Sequence, residues 1–147
     1  MCSLESFWQP ALASEAAEID AGRALQRLTR VARPGSVILL LSDFRRLGAD
    51  AERHLRQLAS HCDLMLVHFF DPVEAELPPP GRYRIHSAGR SFAIETANEA
   101  MRRRYQDRFE ERRAGLRALA RVPGIRVIDC ATDAEPRSVL AQQFRPR

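Results

Sequence analysis

Aspartates stand where the hydrophobic runs of this sequence stop. Asp43 follows Ser36–Ser42, Asp71 follows Leu64–Phe70, and Asp129 and Asp133 lie at or just after Ile125–Cys130. Carboxylates gathered at one edge of a sheet can hold Mg²⁺, a hard cation that takes oxygen ligands. Asp43, Asp71 and Asp129 would then serve phosphoryl-transfer or nuclease-like chemistry. The same residue type also terminates strands by accepting loop amides, so each aspartate has a purely structural reading beside the catalytic one. Ser42-Asp43 is the most informative pair, because it offers oxygens from a rigid position at the end of a buried strand. His54, His61, His68 and His86 form neither HExxH nor another tight zinc-ligand spacing. No Walker-type loop, GxGxxG or GxSxG occurs, so nucleotide binding and serine-hydrolase chemistry lack their minimum parts.

Composition narrows the classes further. The chain has 147 residues, 45% apolar and 29% charged, which fits one domain with a hydrophobic core. No apolar run approaches the roughly 18–20 residues of a membrane span, and no basic segment precedes an apolar signal core. A cytoplasmic protein is expected. Cys2, Cys62 and Cys130 are odd in number and without a CxxC pair, so they read as reduced thiols, with Cys62 and Cys130 buried. The net charge of +4 raises nucleic acid as a partner, but all 23 basic residues are arginine. A GC-rich genome produces that bias without selection for phosphate binding. An arginine-rich nucleic-acid contact on the helix over 98–121 stays as a third reading, weakened by the lack of interleaved exposed aromatics.

The elements that must position these residues follow from periodicity. Residues 1–18 read as a weakly structured or helical lead-in, and 19–147 as the folded part. Asp20 caps a helix to about Ala32, with Ala21, Ala24, Leu25, Leu28 and Val31 as its apolar stripe. Pro34-Gly35 stops it. Val37–Leu41 is an unbroken apolar run, the mark of a strand covered on both faces in a parallel sheet. A helix over about Asp50–Ser60 and a strand over Leu64–Phe70 complete a βαβ crossover. Glu74–Pro80 reads as a proline-rich surface connection. Arg82–Ile85 and Ser91–Ile94 make a β-hairpin. Thr96 or Asn98 caps the longest helix, whose stripe is Met101, Tyr105, Phe109, Leu116 and Leu119. A third strand over Ile125–Cys130 and a helix over about Glu135–Phe144 close the chain.

Four strings carry a family resemblance: Arg33–Phe44 with Leu41-Ser42-Asp43-Phe44 at its end, Asp71-Pro72-Val73-Glu74 with Leu77-Pro78, Gly81-Arg82-Tyr83, and Arg104-Tyr105 through Arg112-Arg113. Over about Asp20–Phe144 the chain resembles the C-terminal part of domain-of-unknown-function family 58, which carries a von Willebrand factor A-like domain. The resemblance implies an α/β fold, a partial von Willebrand A-like (Rossmann-like) three-layer sandwich with a mainly parallel sheet plus a β-hairpin. It also implies a metal-ion-dependent adhesion site built from Asp-x-Ser-x-Ser, a threonine and an aspartate after the fourth strand. Asp43 matches that last aspartate, as a vestigial metal position. Ile19 stands at the threonine, and Asp-x-Ser-x-Ser is absent. Mg²⁺ is therefore expected only if a missing N-terminal half is present, and this chain is expected to work without a cofactor.

The expected function is a non-catalytic protein–protein interaction module that lacks most of the adhesion site. Ser42, Asp43 and Phe44 are its expected partner-binding residues. The resemblance implies a MoxR-type AAA ATPase as partner in complex assembly, and membrane anchors in longer relatives. Strand 37–41, deprived of the first strand that would flank it, should expose apolar residues and open backbone groups, which invites self-association or a donated strand. The alternative is the Mg²⁺-dependent enzyme using the strand-end aspartates.

Overall fold

A computed structural model describes residues 21–45, 47–87 and 90–143. The lead-in over 1–18, with Ile19 and the Asp20 cap, lies outside the described residues. In chain order the elements are α1 (Ala21–Val31), β1 (Val37–Ser42), α2 (Ala49–Ala59), β2 (Asp63–Phe70), α3 (Pro72–Ala75), β3 (Arg82–Ser87), β4 (Arg90–Glu95), α4 (Glu99–Leu119), β5 (Ile125–Ala131) and α5 (Pro136–Gln143).

The apolar runs form a parallel sheet in the order β1-β2-β5, and β3 and β4 form a separate antiparallel ribbon. This is a mixed α/β, Rossmann-like architecture. Alternation along β2 divides its residues between two faces. Leu64 and Leu66 pack with Leu55 and Leu58 of α2, Leu25 of α1, and Leu116 and Leu119 of α4. Met65 and Val67 pack on the other face with Ile128 and Cys130, under Val139 and Leu140 of α5. Each fully buried leucine contributes about 1.5–3 kcal/mol, so the sheet is held chiefly through the α1/α2/α4 side. Cys62 and Cys130 are buried thiols.

Two glycines set turns that no other residue fits well. Gly35, at φ +81, turns the chain from α1 into β1, and its amide donates to His61 O at 2.7 Å. Gly124, at φ +84, brings the backbone so close to α2 that a Cβ there would lie 2.6 Å from Ala59 O.

The connection after β2 departs from the expected loop. Asp71 Oδ1 accepts from Val73 N at 2.8 Å, Pro72 occupies the start of the turn, and Glu74 Oε1 accepts from Asp71 N at 3.3 Å. This reciprocal cap makes Pro72–Ala75 a helical turn. Leu77, just beyond it, is buried. Asn98 caps α4, its side chain accepting from Met101 N at 3.0 Å. Thr96 is instead buried, with its hydroxyl accepting from Gly81 N at 3.1 Å and reaching Pro79 O at 3.0 Å.

Candidate functional site

The carboxyl ends of the strands, where ligands bind in open α/β sheets, carry a row of polar residues. Parallel register places Ser42 beside His68 and His68 beside Asp129, on the face that α4 covers. His68 has no exposed surface, and its Nδ1 lies 2.9 Å from Asp129 Oδ1. Arg113 of α4 donates to Asp129 Oδ2 from Nη2 at 2.7 Å and from Nε at 3.1 Å. The hydrogen bond to His68 is the largest cause, and Arg113 the second favourable one, holding the Asp129 carboxyl down at about 2. Burial opposes them. The Phe44, Phe70 and Phe109 rings surround His68 at centroid distances of 6.4, 5.4 and 6.3 Å. His68 Nε2 is buried without a hydrogen-bond partner, so Ser42 does not relay to it. The Ser42 hydroxyl accepts from Phe44 N at 3.1 Å instead.

Each strand-end aspartate has its own local task. Asp43 Oδ1 accepts from Arg45 N at 3.2 Å, and Oδ2 lies 3.3 Å from Arg45 Nε. Asp71 caps α3, and Asp129 joins β5 to β2 and α4. Among the described residues, no three His, Cys, Asp or Glu side chains come together as a cation site. The Mg²⁺ implied by the resemblance therefore does not fit here, because both Asp43 oxygens are engaged by Arg45, the Glu74 carboxylate is held by the same guanidinium, and among the described residues no ligand set gathers at Asp43. Phe44, expected as a contact residue, turns inward at φ +48 and joins the core. Ser42 and Asp43 remain exposed at the tip.

Next to the tip lies a cleft of about 430 Å³ between the segment after β1, α2, α3 and α4. Phe44, Leu47, Phe109 and Leu116 supply its apolar lining. Glu74 crosses its rim, with Oε2 2.8 Å from Arg45 Nη2 and 3.3 Å from Arg112 Nη2. Tyr105 donates its hydroxyl to Val73 O at 2.9 Å, and burial, with Glu74 nearby, pushes the phenol up to about 12. Arg102 donates to Pro78 O at 2.6 Å and to Leu77 O at 2.9 Å. The strings Ser42-Asp43-Phe44, Asp71–Glu74, Leu77-Pro78 and Tyr105–Arg113 thus meet around one helix.

A family model described as "Protein of unknown function DUF58" matches residues 9–115. The chain belongs to the DUF58 family. The DUF58 match includes the tip, α3 and the part of α4 that bears Tyr105 and Arg112. No curated protein matches the chain. A solved structure, that of the conserved hypothetical protein BatB from Bacteroides thetaiotaomicron, is similar at 18% identity and a TM-score of 0.40. The match covers 84% of this chain and 55% of BatB, so the chain spans about half the length of that protein. Among the described residues, no helix is long and apolar enough to cross a membrane.

The sheet has a second feature of functional interest. Among the described residues β1 pairs with β2 alone, leaving its outer edge unpaired. Val37, Leu39 and Leu41 point to the α5 side of the sheet and are 59, 43 and 60% exposed, whereas their β2 neighbours Met65 and Val67 are buried. The continuous apolar run that read as a strand buried on both faces is covered on one face only.

Proposed function

We propose that this DUF58 chain is a non-catalytic protein–protein interaction module, a partial von Willebrand A-like domain that carries one position of the adhesion site. The apolar edge of β1, unpaired among the described residues, carries this reading. An edge strand of six residues with no charge, proline or bulge between Val37 and Leu41 is a template for pairing with another strand. The exposed Ser42-Asp43 tip extends the same surface. Family resemblance supplies the partner class, a MoxR-type AAA ATPase, with complex assembly as the role. The competing Mg²⁺-dependent enzyme receives no support from Asp43, Asp71 and Asp129, which are each committed to separate local contacts.

The test is association with a MoxR-type ATPase of the same organism, followed by size-exclusion chromatography and light scattering. A complex is expected with the wild-type chain and should be lost on Leu41→Lys, with the far-UV spectrum unchanged. Mg²⁺-dependent hydrolysis of a phosphodiester by the purified chain, abolished by Asp43→Ala, would reverse the assignment.

A further inference from the structure

Among the described residues, three buried side-chain polar atoms have no hydrogen-bond partner, and one of them, Arg112 Nε, belongs to the wall of the cleft between the segment after β1, α2, α3 and α4. The guanidinium is held from two sides. Its Cζ lies 5.5 Å from the centroid of the Phe109 ring, and its Nη2 lies 3.3 Å from Glu74 Oε2. Nε–H and Nη2–H leave one edge of a guanidinium in parallel, the pair of donors that a carboxylate takes together. Glu74 does not take both. Its Oε2 lies closer to Arg45 Nη2, at 2.8 Å, and its Oε1 accepts from Asp71 N at 3.3 Å. A buried charged donor with nothing to donate to is costly, so this wall calls for an acceptor.

We propose that the cleft binds a small monocarboxylic acid with an aromatic or branched apolar body, its carboxylate on Arg112 Nε and its body against Phe44, Leu47, Phe109 and Leu116. The site goes beyond the interaction-module reading and is independent of the β1 edge. Its volume of about 430 Å³ falls within the roughly 300–1,000 Å³ of small-molecule pockets, which likewise combine an apolar lining with a few placed polar groups. Phe44 joins the wall through a left-handed backbone at φ +48, a conformation that costs energy in a residue with a side chain and that clusters at ligand sites. Charge then sets the class of acid. Arg45, Arg108 and Arg112 line the cleft together with Glu52, Glu74 and Glu111, so the lining is balanced. One carboxylate is received by Arg112, whereas a second would meet Glu52 or Glu111. A cation gains less, because Glu111 is exposed to water, Glu52 has Arg56 at 3.7 Å, and Glu74 is already shared between two arginines.

NMR titration of the full, isotope-labelled chain with hydrocinnamate and isocaproate tests the site, read at the Arg112 Nε–H and at the backbone amides of Gly115 and Leu116. Saturable shifts are expected, with dissociation constants of about 0.1–1 mM for ligands of about ten non-hydrogen atoms. Hydrocinnamamide, which lacks the charge, and phenylsuccinate, which carries a second carboxylate, should each bind at least about tenfold more weakly than hydrocinnamate. Arg112→Lys keeps a positive charge beside Glu74 but loses the paired donors, and should weaken hydrocinnamate by at least about tenfold. Gly115 lines the cleft, and a Cβ there meets nothing within 4 Å, so Gly115→Phe should fill the space and abolish binding with the far-UV spectrum unchanged. Absence of saturable shifts with both acids up to about 10 mM overturns the proposal. So does equal binding of the amide or the diacid, or binding that survives Gly115→Phe or Arg112→Lys undiminished.

Discussion

Acid should dismantle the Asp129 junction in a way that one substitution can isolate. His68 and Arg113 hold the Asp129 carboxyl at about 2 rather than its ordinary 3.8, with the His68 hydrogen bond as the larger cause. Because the folded-state value is depressed, the associated stability is present above the unfolded-state value near 3.8 and is lost as pH falls through about 2. At about 1.4 kcal/mol per pKa unit, the shift corresponds to roughly 2 kcal/mol. The Asp129 side chain is 34% exposed, so solvent screening brings the expected contribution to about 1–2 kcal/mol. Asp129→Asn keeps an acceptor for His68 Nδ1 but removes the charge that Arg113 grips. Urea denaturation of both proteins at about pH 6, 4 and 2.5 measures the difference. The variant should be less stable by about 1–2 kcal/mol at the highest pH, and the gap should narrow towards the lowest. Two curves that stay parallel over this range would refute the assignment of acid sensitivity to this carboxylate.

Two further substitutions separate backbone from electrostatic contributions. Gly124→Ala places a Cβ 2.6 Å from Ala59 O at a residue with φ +84, and should cost at least about 2 kcal/mol in thermal or urea unfolding. Gly115→Ala is the control, since open space surrounds that position in α4, and it should gain up to about 1 kcal/mol. Glu74→Gln keeps an acceptor for the Asp71 amide but removes the charge between Arg45 and Arg112, and should lower stability by about 1–3 kcal/mol. An unchanged midpoint in that variant would mean the three side chains are solvated independently of one another.

The strands were legible in the sequence because β1, β2 and β5 are short apolar runs bounded by turns, and the helices because their apolar residues recur at helical spacing. Contacts between residues far apart in sequence were not. His68 reads as one polar residue within an apolar run, and its partner Asp129 lies 61 positions away, at a register that periodicity does not specify. Arg113 sits in a charge run that reads as a solvated face. Its spacing from Phe109 and Leu116 nevertheless places it beside the buried stripe, which is a usable signal. The short α3 was concealed by the prolines that follow it, although Asp71-x-x-Glu74 with Pro72 between them is a helix-start signature. The inward turn of Phe44 depends on a left-handed backbone at a non-glycine residue, which the residue type does not announce.

Helix α4 ties together the polar residues at the carboxyl edge of the sheet, while among the described residues the outer edge of β1 is unpaired. From one side of α4, Arg102 holds the carbonyls of Leu77 and Pro78, Tyr105 holds that of Val73, Arg112 meets Glu74, and Arg113 meets Asp129. These contacts tie the segment before the hairpin, the turn after β2 and the end of β5 to a single rod. They use carboxylates and carbonyls that could otherwise face a ligand beyond the strand ends. None of them reaches Val37, Leu39 or Leu41, which α4 cannot cover because they lie on the opposite face of the sheet. Apart from His68 Nε2, the polar side chains at the strand ends are therefore engaged with one another or with backbone, and among the described residues apolar surface with unpaired strand backbone is left along β1. On the interaction-module reading proposed above, the decisive substitution is at Leu41 on β1 rather than at the strand-end aspartates.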